Sequence, residues 1–154
     1  MSTLPFAARP LVLLLALLSL PACDTTSPGD DPGDDPDPIS VIVRYRVSVS
    51  GAANAISVVY TDEGGNAVPL SVDFSRSTTF QQEITLAPGT EGTFSVAATG
   101  LVTGGNLTAS TGSFRSDDES QIAFDTQTRT ATGTEELSAS APVQVAVITA
   151  QPAL

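Results

Sequence analysis

The sequence predicts an all-β fold, an antiparallel β-sandwich, on three observations. From Ile39 onward apolar side chains recur at every second position, the spacing of a half-buried strand. Turn signals rich in glycine and proline interrupt that pattern at roughly 10–15-residue intervals. No segment carries helical spacing over a useful length. Together these place about seven to nine short strands in residues 39–154, which suits two packed sheets of immunoglobulin-like size.

The first strand carries Val41, Val43, Tyr45, Val47 and Val49 on one face, with Ile42, Arg44, Arg46 and Ser48 on the other. A second run, Ile56, Val58 and Tyr60, ends at Thr61-Asp62-Glu63-Gly64-Gly65-Asn66, whose glycines permit the positive φ of a hairpin turn. The returning strand carries Leu70, Val72 and Phe74, and Pro69 places it at a sheet edge because proline donates nothing to a ladder. Phe80, Ile84 and Leu86 follow, closed by Ala87-Pro88-Gly89, and Phe94, Val96 and Ala98 make the next strand. Beyond Gly104-Gly105 the alternation weakens to Leu107 and Ala109, to Ile122 and Phe124 after a polar stretch, and to residues 126–132. The last strand is read from Val143, Val145 and Val147, with Ile148 behind it. With one Cys and no Trp in the chain, the core is built from Val, Ile and Leu with the two Tyr and the five of the six Phe that follow residue 39.

Ahead of this domain, residues 1–22 have the layout of a signal peptide. Arg9 ends a short, weakly positive segment, and residues 11–20 (LVLLLALLSL) form an apolar run interrupted by Ser19 alone. As a helix the run would span about 15 Å, half of a 30 Å hydrocarbon core, too short to cross a membrane. Leu20-Pro21-Ala22-Cys23 then resembles the bacterial lipobox, which implies cleavage before Cys23 and diacylation of its thiol. Two or more acyl chains give stable anchoring where one is marginal. Residues 24–38 read DTTSPGDDPGDDPDP, with six Asp and four Pro, and cannot bury a core. Residues 23–38 are therefore expected to form a lipidated cysteine and an extended, disordered acidic tether of roughly 45 Å reach. The expected location is the outer side of a cell membrane or an outer membrane.

Composition removes whole classes of function. The 154 residues contain 6 Arg, no Lys, no His and 17 acidic side chains, for a formal net charge of −11. Without histidine there is no Ser-His-Asp triad and no imidazole metal ligand, and Cys23 alone makes neither a disulfide nor a cysteine zinc cluster. Nucleic acid is not an expected partner, because neutralising phosphates needs clustered basic residues.

Among the acidic clusters, Asp62 and Glu63 with Asn66, and Asp117, Asp118 and Glu119, offer oxygen ligands of the kind calcium takes, though neither has EF-hand spacing. A calcium-stabilised surface module is thus the rival to a binding protein. A carboxylate glycosidase drawing on these acids or on Glu135 and Glu136 ranks below it, since no aromatic platform or apolar pocket adjoins them in the sequence. Asn106-Leu107-Thr108 fits a glycosylation tripeptide that is common by chance. Arg44 and Arg46 project together, and cross-strand pairing with acids is the expectation ahead of anion binding. No catalytic, cofactor-binding or metal-ligating residue is assigned; the one assigned site is lipidation at Cys23.

Val43-Arg44-Tyr45-Arg46-Val47, the strand Ile56 to Thr61 and the Gly64-Gly65-Asn66 turn resemble the extracytoplasmic β domain of MmpS-type transport accessory proteins. Phe74-Ser75-Arg76 falls where that family tends to have Trp-Ser-Lys, and Phe94-Ser95-Val96-Ala97-Ala98 is similar to its following strand. The likeness covers roughly residues 43–98; it departs in the Phe, in lacking second-half cysteines and in having a lipobox in place of a membrane helix. It implies a β-sandwich that assists a large efflux or lipid-export transporter by contacting its extracytoplasmic portion, with no catalytic residues to carry over. The leading expectation is a non-enzymatic, lipid-anchored adaptor that binds a protein partner or an envelope polymer and uses no cofactor.

Overall fold

A computed structural model of the chain describes residues 37–150, all within the compact unit Asp34–Leu154. The apolar run, Cys23 and the tether up to residue 36 lie outside the described residues.

Six strands make one antiparallel sheet curled into a half-barrel: β1 (Val41–Ala53), β2 (Ala55–Thr61), β3 (Ala67–Asp73), β4 (Thr79–Leu86), β5 (Gly92–Arg115) and β6 (Gln121–Val145). β5 organises it. On one edge Val96–Thr99 pair with β2 and Val102–Arg115 pair with β1, while the other edge carries β6 along nearly its whole length. β3 extends β2 and β4 extends β1. The sheet therefore has two leaves joined through bent strands. The first comprises β3, β2, the front half of β5 and the rear half of β6. The second comprises β4, β1, the rear half of β5 and the front half of β6.

The strands number six rather than about seven to nine because Gly104-Gly105 and Thr132-Gly133 bend the chain instead of ending a strand. At the corner β5 leaves one residue unpaired, Gly104, and β6 leaves two, Thr132 and Gly133. Side chains alternate with period two, so an odd insertion moves the inward set to the other parity and an even one keeps it. Accordingly Phe94, Val96, Ala98 and Val102 are buried before the corner and Leu107, Ala109, Thr111 and Ser113 after it, while β6 turns odd positions inward on both sides, burying Ala131 ahead of the corner and Leu137 to Val145 beyond it. β1 crosses the corner at a register shift around Gly51, whose φ is +90°. A Cβ on Gly51 would strike the Gly104 carbonyl, and one on Gly105 would strike the Ser50 carbonyl, so only glycine lets the backbones approach this closely.

The core follows the expected alternation in β1, where Val41, Val43, Tyr45, Val47 and Val49 are all buried. Ile56, Val58, Ile84, Leu86, Val96, Leu137, Val143 and Val145 join the same cluster. Polar bonds tie the two leaves across the interior. Thr111 Oγ1 donates to the Ala141 carbonyl at 2.6 Å, and the Tyr45 hydroxyl donates to the Thr61 carbonyl at 2.7 Å. Burial pushes the Tyr45 hydroxyl above the usual tyrosine range and keeps it a donor. Tyr60 stacks between Tyr45 and Phe80, with ring centroids 5.6 and 6.5 Å away.

Pro69 lies in edge strand β3, as proline chemistry requires, and Leu70 on the same strand stays 39% exposed. The final strand stops at Val145, short of the expected Val147, which is 46% exposed. Asp37 and Pro38, assigned to the tether by composition, join the β domain: Pro38 bridges to Thr149 and the Ala150 N–H donates to the Asp37 carbonyl at 2.9 Å.

Candidate functional site

On the outward side of the second leaf, strand register sets side chains in rows. Glu83, Arg44, Gly112 and Phe124 form one row across β4, β1, β5 and β6, and Gln81, Arg46, Ser110 and Thr126 form the next. All of these but Thr126, together with Phe114, line a groove of about 510 Å³. Gly112 is its floor. A Cβ there would lie 2.8 Å from the Phe114 ring, so the missing side chain is what lets that ring lie over the sheet, while the Phe124 ring would meet it at an ordinary 3.4 Å contact.

Arg44 and Arg46 have different surroundings despite their shared face. Arg44 Nε donates to Glu83 at 2.7 Å, its Nη2 reaches Glu119 at 3.5 Å, and its guanidinium lies 4.8 Å from the centre of the Phe114 ring. The hydrogen-bonded Glu83 carboxylate raises Arg44 above the usual arginine range. Arg46 is exposed and makes no ion pair among the described residues, because its row supplies Gln81 and Ser110 where the other supplies Glu83. The expected cross-strand pairing therefore holds for Arg44 and fails for Arg46. Phe124 completes the groove with 55% of its surface in solvent.

The acidic clusters are engaged locally. Asp62 Oδ1 accepts the N–H groups of Asn66 at 2.8 Å and Gly64 at 2.9 Å, and Asn66 Nδ2 donates to it at 3.2 Å. Those bonds, that of the Asn66 N–H foremost, hold the Asp62 carboxyl below the usual aspartate range. The turn thus engages the Asp62 carboxylate oxygens that a calcium reading requires, with Asn66 as their donor. Asp117 forms a two-point pair with Arg115, at 2.9 and 2.7 Å, which lowers its pKa. Asp118 accepts from Ser120 at 2.8 Å and is also lowered, by Ser120 before any other group. Glu119 turns through φ +55° toward Arg44. Glu135 accepts from Thr132 at 3.3 Å, and Glu136 borders a separate hollow at the corner with Leu101 and Thr134. Among the described residues no three acids gather as a metal-holding group. Asn106 is half-buried and its Oδ1 accepts from Thr130 Oγ1 at 2.7 Å. Cys23 lies outside the described residues.

Sequence reasoning singled out the two arginines but not Phe114, Phe124, Gln81 or Gly112 as their neighbours. The alternation of β1 marks one face of one strand. It carries no information on which residues of β4, β5 and β6 sit beside it, since register is fixed by pairing over sequence separations of 12 to 68 residues.

No known protein family, curated protein or solved structure matches the chain.

Proposed function

We propose that the protein is a non-catalytic binding or adaptor module of a bacterial cell envelope. In this reading it is anchored through an acylated Cys23 and presented on the acidic tether of residues 24–36. The observation that carries the reading is the outward groove, where an arginine without an acidic partner among the described residues and a half-exposed phenylalanine sit on neighbouring strands held in register by β1 and β5. Groups held in fixed geometry by paired strands bind at low ordering cost. The MmpS-type resemblance supports the finer form, a transport accessory, because Arg44 and Arg46 of the groove belong to its Val-x-Tyr-x-Val strand. An immunoglobulin-like sandwich is the finer form of the fold, supported by the two leaves bonding across their interior through Thr111 and Ala141.

In-cell crosslinking of the tagged protein, purified beside a tagged unrelated lipoprotein, tests the reading. Selective recovery of a transporter or another envelope component is the expected result. Recovery of nothing beyond the control set overturns the binding role. Cys23→Ser is expected to move the protein from the membrane to the soluble fraction, and a wild-type protein that fractionates as soluble overturns the anchor.

A further inference from the structure

We propose that the outward groove of the second leaf binds an acidic glycan strand, with Arg46 on a sugar carboxylate and Phe124 against a pyranose ring. The inference rests on the binding-module reading and names its ligand class.

The chemistry of the groove selects this occupant. The central strands beneath it, β1 and the rear half of β5, each have a hydrogen-bonded partner strand on both sides. An extended peptide gains affinity by adding to an unpaired strand edge. The outer edges of β4 and β6 border the groove, but edge N–H and C=O groups lie in the plane of a sheet, so a ligand lying over its face is recognised by side chains. Those present are an exposed guanidinium, a half-exposed aromatic face, the amide of Gln81 and the hydroxyl of Ser110. A sugar acid presents the complementary set: a planar carboxylate that takes two guanidinium N–H groups, hydroxyls for amide and hydroxyl partners, and an apolar C–H face for a ring.

Charge decides where such a polymer lands. The chain carries a net charge of −11, so most of its surface repels a polyanion. At physiological ionic strength that repulsion is screened beyond about 8 Å, which leaves the immediate neighbours of the bound carboxylate in control. Glu83 is the groove's acid, and it is hydrogen-bonded to Arg44, which leaves Arg46 for the ligand. The outward face continues past the groove through Ser48, Thr108 and Thr128, with the two threonine hydroxyls 2.9 Å apart, a polar track for further sugar units.

The test uses the full acylated protein in nanodiscs, with polygalacturonate as probe and two controls: its carboxyl-reduced neutral form and polyglutamate. Binding to polygalacturonate is expected at least tenfold tighter than to either control. Arg46→Gln and Phe124→Ala, both at exposed positions, are each expected to weaken it about tenfold. Arg129→Gln, on the opposite side of the sheet, should leave it unchanged. Equal binding of polyglutamate, or an equal loss in Arg129→Gln, means that charge alone is read and overturns the proposal. A photo-crosslinker at Ile122 in cells separates the two levels. Capture of glycan supports the inference. Capture of a protein alone overturns the glycan while the binding module stands, and capture of neither removes both.

Discussion

The two halves of β6 make the same ladder to β5 but bury different chemistry. The rear half turns Leu137, Ala139, Ala141, Val143 and Val145 into the core. The front half places Ala123, Asp125, Gln127 and Arg129 opposite the buried Ser113, Thr111, Ala109 and Leu107, yet none of these four is itself buried. Backbone pairing and side-chain burial are therefore separable in this molecule. The rear half is held by hydrophobic contact, roughly 25 cal/mol per Å² of apolar surface removed from water. The front half is held by its hydrogen bonds to β5 and by polar links, such as Gln127 accepting the Ser140 N–H at 2.9 Å.

The sharpest way to break this contrast is to truncate one inward residue in each half. Leu137→Ala is expected to cost about 2–5 kcal/mol in chemical denaturation, whereas Arg129→Ala should stay within about 0.5 kcal/mol. Similar losses from both would mean that the front half is packed as tightly as the rear. Next in size is the bond between the two leaves. Thr111→Val keeps the shape but leaves the Ala141 carbonyl without its 2.6 Å donor, an expected loss of about 1–3 kcal/mol. A neutral result would show that the leaves are joined by packing alone.

Ser113 sharpens the comparison from the other direction. Its hydroxyl is buried with no hydrogen-bond partner among the described residues, at the place where the front half of β6 supplies only Ala123. Ser113→Ala should therefore raise stability by about 1 kcal/mol, read as a higher denaturation midpoint, and a lower midpoint would reveal a bond to that hydroxyl. The smallest effect concerns the turn between β2 and β3 in the first leaf. The folded Asp62 pKa lies below its unfolded value, so its contribution is complete above the ordinary aspartate range and disappears as pH falls through the lowered value. Asp62→Asn keeps an acceptor oxygen without the titration. Its melting temperature should fall less steeply in acid than that of the wild type, and parallel curves would refute this.

Much of the fold was legible in the sequence where local chemistry and burial agree. The inward set of β1, the glycine turn after Thr61 and the edge position of Pro69 each follow from a few adjacent residues. The second half of the chain read poorly for a physical reason. Its front β6 segment offers no buried stripe, so Thr126 to Thr130 showed no inward face, although every one of those residues is laddered to β5. Gly104-Gly105 resembled a chain-ending turn, and only the neighbouring Gly51 and Ser50 made it a bend. At the candidate site the arginines were visible from their spacing, while Phe124 looked like one member of a weak strand.

The sequence by itself determined an all-β domain with a valine-lined first strand, a strongly acidic surface and a lipobox-like Cys23 behind an apolar run. Only the tertiary structure decided that two strands bend instead of breaking, because one skipped residue in β5 and two in β6 act through pairing parity, which exists only between strands. It also decided that Arg44 meets Glu83 while Arg46 meets Gln81 and Ser110. Two side chains of the same type, two residues apart on one face, acquired different roles because register across the sheet fixes a neighbour's charge.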